Sequence, residues 1–265
     1  MKRWIPFVKS TPTVAVIRLQ GIIASGTRST LNDQALGPVL EKAFRRGKPA
    51  AVALQINSPG GSPVQSSLIG ARLRRLAAEK DIPVLAFVED VAASGGYWLA
   101  AAADEIFADA SSIVGSIGVI SASFGAHELI ERYGIERRVH TAGTSKSQND
   151  PFRPQSPEDV ARLKTLLEDI HGTFIAHVKE RRGDKLDAET DLFNGEVWLA
   201  ARAQSLGLID GIGHMMPILK ERYGDKVRVR RYGPKQPLLP RLGMQIADDA
   251  MRLIDERAAY ARFGL

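Results

Sequence analysis

Two glycine pairs, each placed just after a short apolar run, constrain the fold of this chain more than any other feature. Val52-Ala-Leu-Gln-Ile-Asn-Ser-Pro-Gly-Gly61 reads as a buried strand closing in a glycine-rich turn. Val91-Ala-Ala-Ser-Gly-Gly-Tyr-Trp98 sets a single serine between small residues and the second pair, at a chain reversal that opens a helix. Apolar runs of this length bounded by turn residues mark strands buried on both faces. Val14–Leu19 and Val84–Val88 are further strands, and Ala51–Ile56 lies within the first quoted run. Leu31–Arg46 carries apolar residues near helical spacing, as does Pro63–Lys80, where Leu68, Ile69, Leu73 and Leu76 form one face. Short buried strands alternating with helices predict an α/β fold with mainly parallel strands. Ligands in such folds sit beyond the carboxyl ends of the strands. Both glycine pairs fall there, so two remote segments converge on one crevice.

The rest of the chain supplies less regular signals. Gly96–Ala103 continues as a helix, Asp104–Ala108 and Val119–Ser121 are expected as short strands, and His127 falls in a helix. Pro157–Arg182 reads as one long helix with Ser156 as its N-cap and Gly183 just past its end. Its apolar stripe is Leu163, Leu166, Leu167, Ile170 and Phe174. Three prolines make Tyr232–Pro240 a linker, and Leu242–Phe263 is amphipathic with a polar face of mixed charge, suited to packing on protein. The expected organisation is an N-terminal segment over 1–12, a catalytic domain over 13–220, and a linker with a terminal helix over 221–265. No internal repeat is visible.

Composition removes several function classes. With 265 residues and 44% hydrophobic content the chain can bury a core in one domain, and without cysteine it excludes disulfides and thiol catalysis. The net charge of +6 is spread over short clusters: Arg45-Arg46, Arg72/Arg74/Arg75, Arg137-Arg138, Arg181-Arg182 and Arg228/Arg230/Arg231. These lack the interleaved aromatics of a nucleic-acid interface, so solvated surface charge is the reading and no nucleic-acid partner is expected. Pro6 and Lys9 break the apolar N-terminal run, which is too short for a signal peptide or a spanning helix. A cytoplasmic protein is expected. Trp4 and Phe7, beside Lys2, Arg3 and Lys9, offer peripheral contact with the inner membrane as the lesser reading.

The chemistry centres on Ser94. A serine that attacks a carbonyl needs an uncrowded hydroxyl and backbone N–H groups beside it for the oxyanion. Small residues before Ser94 and glycines after it meet both needs. The five histidines, His127, His140, His171, His177 and His214, are scattered, and none forms an i,i+4 ligand pair. Neither a histidine triad nor a zinc site is expected, and no metal. Lys146 is the only lysine between Lys80 and Lys164, and it sits in the polar stretch Thr144-Ser-Lys-Ser-Gln148.

Asn57-Ser-Pro-Gly-Gly61, Ala92-Ala-Ser-Gly-Gly-Tyr97, Gly115-Ser-Ile-Gly118 and a lysine 52 residues after the serine, in that order, resemble the S49 peptidase family of the signal peptide peptidase A type. The resemblance runs from about Val14 to Leu219 and places the chain in the Clp protease/crotonase superfamily. It implies stacked ββα units, here in a single-unit member with a C-terminal helical appendage. Asn194–Trp198 and the Ala200–Leu208 helix resemble the family's terminal elements, followed by a strand at Gly207–Asp210.

The resemblance also implies a serine endopeptidase with a Ser–Lys dyad, acting on extended hydrophobic peptides such as remnant signal peptides and needing no cofactor. Ser94 becomes the nucleophile, Lys146 the general base, and Ser116 the residue that orients the lysine. Gly61 and Gly95 supply the oxyanion hole, while Gly60, Gly96, Ile113, Val114 and Gly115 bind substrate, which adds as a strand along Ser112–Gly118. A free lysine titrates near 10.4, so it serves as a base near neutrality only when desolvated away from carboxylates. Its sequence neighbours are neutral, the nearest acid being Asp150. A Clp-type histidine would stand near Val119 and is absent. Single-unit relatives form rings, so a homo-oligomeric ring of eight subunits is expected, with Lys146 of one reaching Ser94 of the next. The alternative is a crotonase-like enzyme using the same cradle on acyl-CoA thioesters.

Overall fold

The computed structural model describes residues 11–26, 30–143, 145–233 and 256–265. The chain opens with β1 (Thr13–Gln20), α1 (Asp33–Arg45), β2 (Ala51–Ser58), α2 (Pro63–Lys80), β3 (Val84–Ala93) and α3 (Gly95–Ala101). There follow β4 (Glu105–Ala108), β5 (Ile113–Gly115), α4 (His127–Arg132) and α5 (Pro157–Arg182). After a 3-10 turn at Gly183–Lys185 come β6 (Val197–Leu199), α6 (Ala200–Ser205), β7 (Gly211–Ile212), α7 (Met215–Tyr223) and β8 (Arg228–Tyr232).

Among the described residues these strands form one sheet in the order β6-β5-β3-β2-β1-β8, with β4 and β7 branching from β3. Every pair is parallel except β5 with β6. β3 makes the branch possible because its two halves have different neighbours. Leu85–Val88 pairs with β4, whereas Val91–Ala93 pairs with β5. The interruption lies at Glu89 and Asp90, the two positions of β3 that are not buried, and the register against β2 also shifts here. The fold is therefore α/β with helices around a largely parallel sheet, as the sequence pattern predicts.

The sheet buries both faces by alternation. Val14 and Val16 of β1, Ala51 and Ala53 of β2, and Leu85 and Phe87 of β3 meet Met215 and Leu219 of α7. The opposite register of β1, with Ala15, Ile17 and Leu19, is equally buried, and α1 contributes Leu36, Leu40 and Phe44 to the core. Helix ends follow local chemistry: Asn32 caps α1 through the Ala35 N–H, and Ser62 with Pro63 opens α2. Ser156 accepts from the Asp159 N–H at the start of α5.

Several expectations are corrected. Val119–Ser121 is not a strand; the strand is Ile113–Gly115, which has β3 and β6 as neighbours, while Ile120 is exposed. The strand expected at Gly207–Asp210 is instead Gly211–Ile212; Asp210 precedes it, donating its N–H to the Ile106 carbonyl and accepting the Ile106 N–H on its carboxylate. Leu68 and Leu166, expected on apolar faces, are exposed. β8, beyond residue 220, pairs with β1. Of the amphipathic stretch Leu242–Phe263, residues 242–255 lie outside the described residues, as do residues 1–10 and the prolines of the linker.

The described chain divides into two units, Gly118–Phe174 and the remainder. The smaller unit contains α4, which buries no residue, and the polar loop that carries Lys146.

Candidate functional site

The site in the larger unit is built where β2 and β3 end. β3 runs into Ser94, whose φ of 51° and ψ of −123° turn the chain sharply into α3. A positive φ is uncommon for a residue with a Cβ and persists only where neighbours impose it. Here the Ser94 N–H donates to the Gly115 carbonyl at 2.8 Å, and the Ser94 carbonyl accepts from the Trp98 N–H at 3.0 Å. Although Ser94 stands at the N-cap of α3, its side chain makes no capping bond. Ser94 is half-buried, and among the described residues its hydroxyl has no hydrogen-bond partner.

Backbone meets backbone beside it. A Cβ at Gly60 would lie 2.8 Å from the Gly95 nitrogen and 2.8 Å from Cβ of Ser94, so the β2 turn can approach the Ser94 elbow only as glycine. A Cβ at Gly95 would lie 3.4 Å from the Gly61 nitrogen and collide with the Ser66 hydroxyl. Gly95 is the first residue of α3, where an N–H has no intrahelical acceptor. Among the described residues neither the Gly61 nor the Gly95 N–H meets an acceptor. The structure thus brings together Ser94, Gly60, Gly61, Gly95 and Gly96, with two unspent donors next to one unspent hydroxyl.

The third strand end joins them. Gly115 pairs with Ala93, and its would-be Cβ is filled by the Trp198 ring of β6. Ser116 follows with a φ of 50° and donates its N–H to the Glu196 carbonyl. Ile113, Val114 and Gly115 have β3 on one side and β6 on the other. An added peptide strand therefore finds no free ladder along Ile113–Gly115, and only the stretch after Ser116 remains for it. This corrects the expected strand addition along Ser112–Gly118.

Lys146 belongs to the smaller unit and is exposed. In that unit Asp150 pairs with Arg137, which holds its carboxyl below the usual range, so the acid nearest Lys146 in sequence has its own cation.

Sequence reasoning missed the groups that hold α3. His177 stacks on Trp98, ring centres 4.8 Å apart, and its Nε2–H donates to the Trp98 carbonyl at 3.0 Å. Burial keeps this imidazole neutral, its pKa pushed below the ordinary value. Arg181 donates to the Ala101 and Ala103 carbonyls at the far end of α3, and Tyr97 donates to the Leu208 carbonyl. His177 and Arg181 stand four apart on α5, so one face of a helix serves the middle of α3 and its C-terminal end. That spacing was visible in the sequence, but its target was not.

Comparison with known proteins gives the same direction. The model of "Peptidase family S49" matches residues 77–226. A Synechocystis protein named as a candidate protease is 33% identical over 78% of this chain and 73% of its own length. A Brucella melitensis protein named Na(+)/H(+) antiporter NhaA is 50% identical over 100% of this chain, which spans only 39% of that protein. Among the described residues no helix is long and apolar enough to cross a membrane. Among solved structures, a mutant of the 1510-N membrane-bound stomatin-specific protease aligns with a TM-score of 0.53 at 17% identity, covering 86% of this chain and 100% of that one. That likeness speaks to the fold alone.

Proposed function

The chain belongs to peptidase family S49, and from that premise we propose that it is a serine endopeptidase in which Ser94 is the nucleophile and Lys146 the general base. The observation that carries this reading is the placement of an uncommitted Ser94 hydroxyl, on a strained elbow, beside the free N–H groups of Gly61 and Gly95. That is the arrangement acyl transfer requires.

In the proposed cycle the neutral Lys146 amine takes the proton from Ser94 Oγ as the oxygen bonds to the scissile carbonyl carbon. The carbonyl oxygen gains the negative charge and accepts from Gly61 and Gly95. As the tetrahedral species collapses, the C–N bond breaks, the Lys146 ammonium protonates the leaving amine, and an acyl-serine remains. Water, deprotonated by Lys146, then attacks the acyl carbon, the bond to Ser94 Oγ breaks, the Lys146 ammonium returns a proton to Oγ, and the acid leaves. Ser116 orients the amine. The crevice takes an extended chain, so the substrates are unfolded apolar peptides such as remnant signal peptides, bound beside Gly60, Gly96 and Gly115.

The exposure of Lys146 bears on how the base works. An ammonium in water does not lose its proton near neutrality, so the amine must be desolvated when it acts. Association of chains supplies that burial. Phe124, Ile120 and Tyr133, exposed by 90%, 67% and 73%, give the smaller unit a reason to be covered. We therefore extend the proposal to a homo-oligomeric ring in which Lys146 of one subunit serves Ser94 of another. A thioester enzyme on the same cradle would leave the strained Ser94 without a purpose, and nothing in the site favours it.

The test is labelling with a fluorophosphonate probe, which reacts with activated serines. Wild-type protein is expected to label, while Ser94→Ala and Lys146→Ala are not. Undiminished labelling of the Ser94 variant would overturn the assignment.

A further inference from the structure

The turn that bears Gly60 and Gly61 is held from below by groups that the cycle above does not use. The carbonyl of Asn57 accepts the Gly21 N–H at 2.9 Å and also the phenol hydroxyl of Tyr260 at 2.8 Å. Tyr260 lies 203 residues further along the chain, in the short helical stretch over residues 256–261. Glu256, one turn earlier, sets its carboxylate against Gly21, where a Cβ would come within 3.1 Å of it. One residue after Asn57, the Ser58 hydroxyl is fully buried, donating to the Gly21 carbonyl at 2.7 Å and accepting from the Gly60 N–H at 3.2 Å. The corner is short of donors: Asn57 Oδ1 is buried with no partner among the described residues.

We propose that Tyr260 is a positioning residue for the oxyanion cradle, its hydroxyl fixing the Asn57–Gly61 turn and so the aim of the Gly61 N–H. The inference rests on the peptidase reading and adds to it a residue of the C-terminal segment, outside the stretch 77–226 matched to the family. Backbone donors stabilise an oxyanion only when aimed at the place it will occupy, so a small loosening of the turn falls on the transition state more than on substrate binding. The phenol donates throughout the working range: burial, with Glu256, Asp90 and Glu89 adding in the same direction against the opposing Gly21 N–H, pushes its pKa up to about 12.

Tyr260→Phe in the full chain removes the hydroxyl and keeps the ring. Loss of one neutral hydrogen bond corresponds to a fall of roughly three- to ten-fold. We expect kcat and the rate of fluorophosphonate labelling to fall by that factor, with KM unchanged and the pH–rate profile unaltered in shape. Amide hydrogens in the peptide spanning Asn57–Gly61 should exchange faster than in wild type. Wild-type protection of that peptide would overturn the brace whatever the activity, as would wild-type kcat, a loss confined to KM, or a displaced pH profile. A wild-type chain that shows no Ser94-dependent labelling would sink the peptidase reading instead, and the exchange measurement would still decide the brace.

Discussion

Ser94 sits in a backbone conformation that a side chain normally avoids, and holding it there costs on the order of 1–3 kcal/mol. The hydrogen bonds to Gly115 and Trp98 offset the cost and fix where the hydroxyl points. Ser94→Gly is therefore expected to leave the melting temperature unchanged or raise it while abolishing labelling, because glycine enters positive φ freely. A clear drop in melting temperature would contradict the strain argument. Lys146→Arg should be as inactive as Lys146→Ala, since a guanidinium does not give up its proton near neutrality. Hydrolysis at the wild-type rate by that variant would remove Lys146 from the role of base. His177 predicts a pH effect. Its folded pKa lies below the ordinary 6.5, so its contribution to stability is complete above 6.5 and is lost as pH falls through the folded value. Thermal melts from about pH 7.5 down to about 5 should show a smaller loss of stability in His177→Gln than in wild type. Equal losses would mean that this imidazole is not what acid attacks.

At the scale of elements, the salt bridge between α5 and the turn before β7 is expected to hold more than its surface counterparts. Arg182 is 3% exposed and meets the Gly207 carbonyl and the Asp210 carboxylate, which Lys185 also contacts. Removing one partner of a buried pair typically costs about 3–5 kcal/mol, so Arg182→Leu should unfold at clearly lower denaturant than Arg138→Leu, whose partner Glu136 is on the surface. A similar midpoint for the two variants would show the burial to be of no consequence. The elements most legible in the sequence were those whose signals are local. α2 begins at Pro63 and ends at Lys80, and α5 begins at Pro157 and ends at Arg182, because caps and breakers act within a few residues. Ser94 and its glycines were legible for the same reason. The misplaced strands were the short ones. Val119-Ile120 has better strand-forming residues than Val114-Gly115, but a three-residue strand exists only where a neighbour offers a ladder, and β3 and β6 offer theirs a few residues earlier. Tyr260 had no signal at all, since nothing in Ala259-Tyr-Ala names Asn57 as its target. The basic cluster Arg228/Arg230/Arg231 falls on β8, the outer strand among the described residues, and all three are exposed there. Charges on an edge discourage pairing with another chain. Arg228→Val with Arg230→Val is expected to promote self-association in light scattering, and a variant as monodisperse as wild type would refute that role.

The whole molecule divides its proposed chemistry between two units, with Ser94 in the larger and Lys146 in the smaller. Each residue was visible in the sequence, but sequence spacing carries no information about whether one chain or two complete a site. The smaller unit leaves apolar side chains in water. α4 buries nothing, and Leu129 and Ile135 are exposed together with the aromatic residues around them. Apolar surface of that kind is covered in most soluble proteins, and a neighbouring copy would cover it while desolvating Lys146. Complementation tests the shared site directly. Ser94→Ala and Lys146→Ala are each expected to be inactive, and mixing them under conditions of subunit exchange should restore part of the activity. Contacts that pair an intact serine with an intact lysine account for the recovery, so activity should rise as the two variants approach equal proportions. Mixed assemblies that form, as shown by a tag on one variant recovering the other, and yet stay inactive would place both residues of the dyad in a single chain.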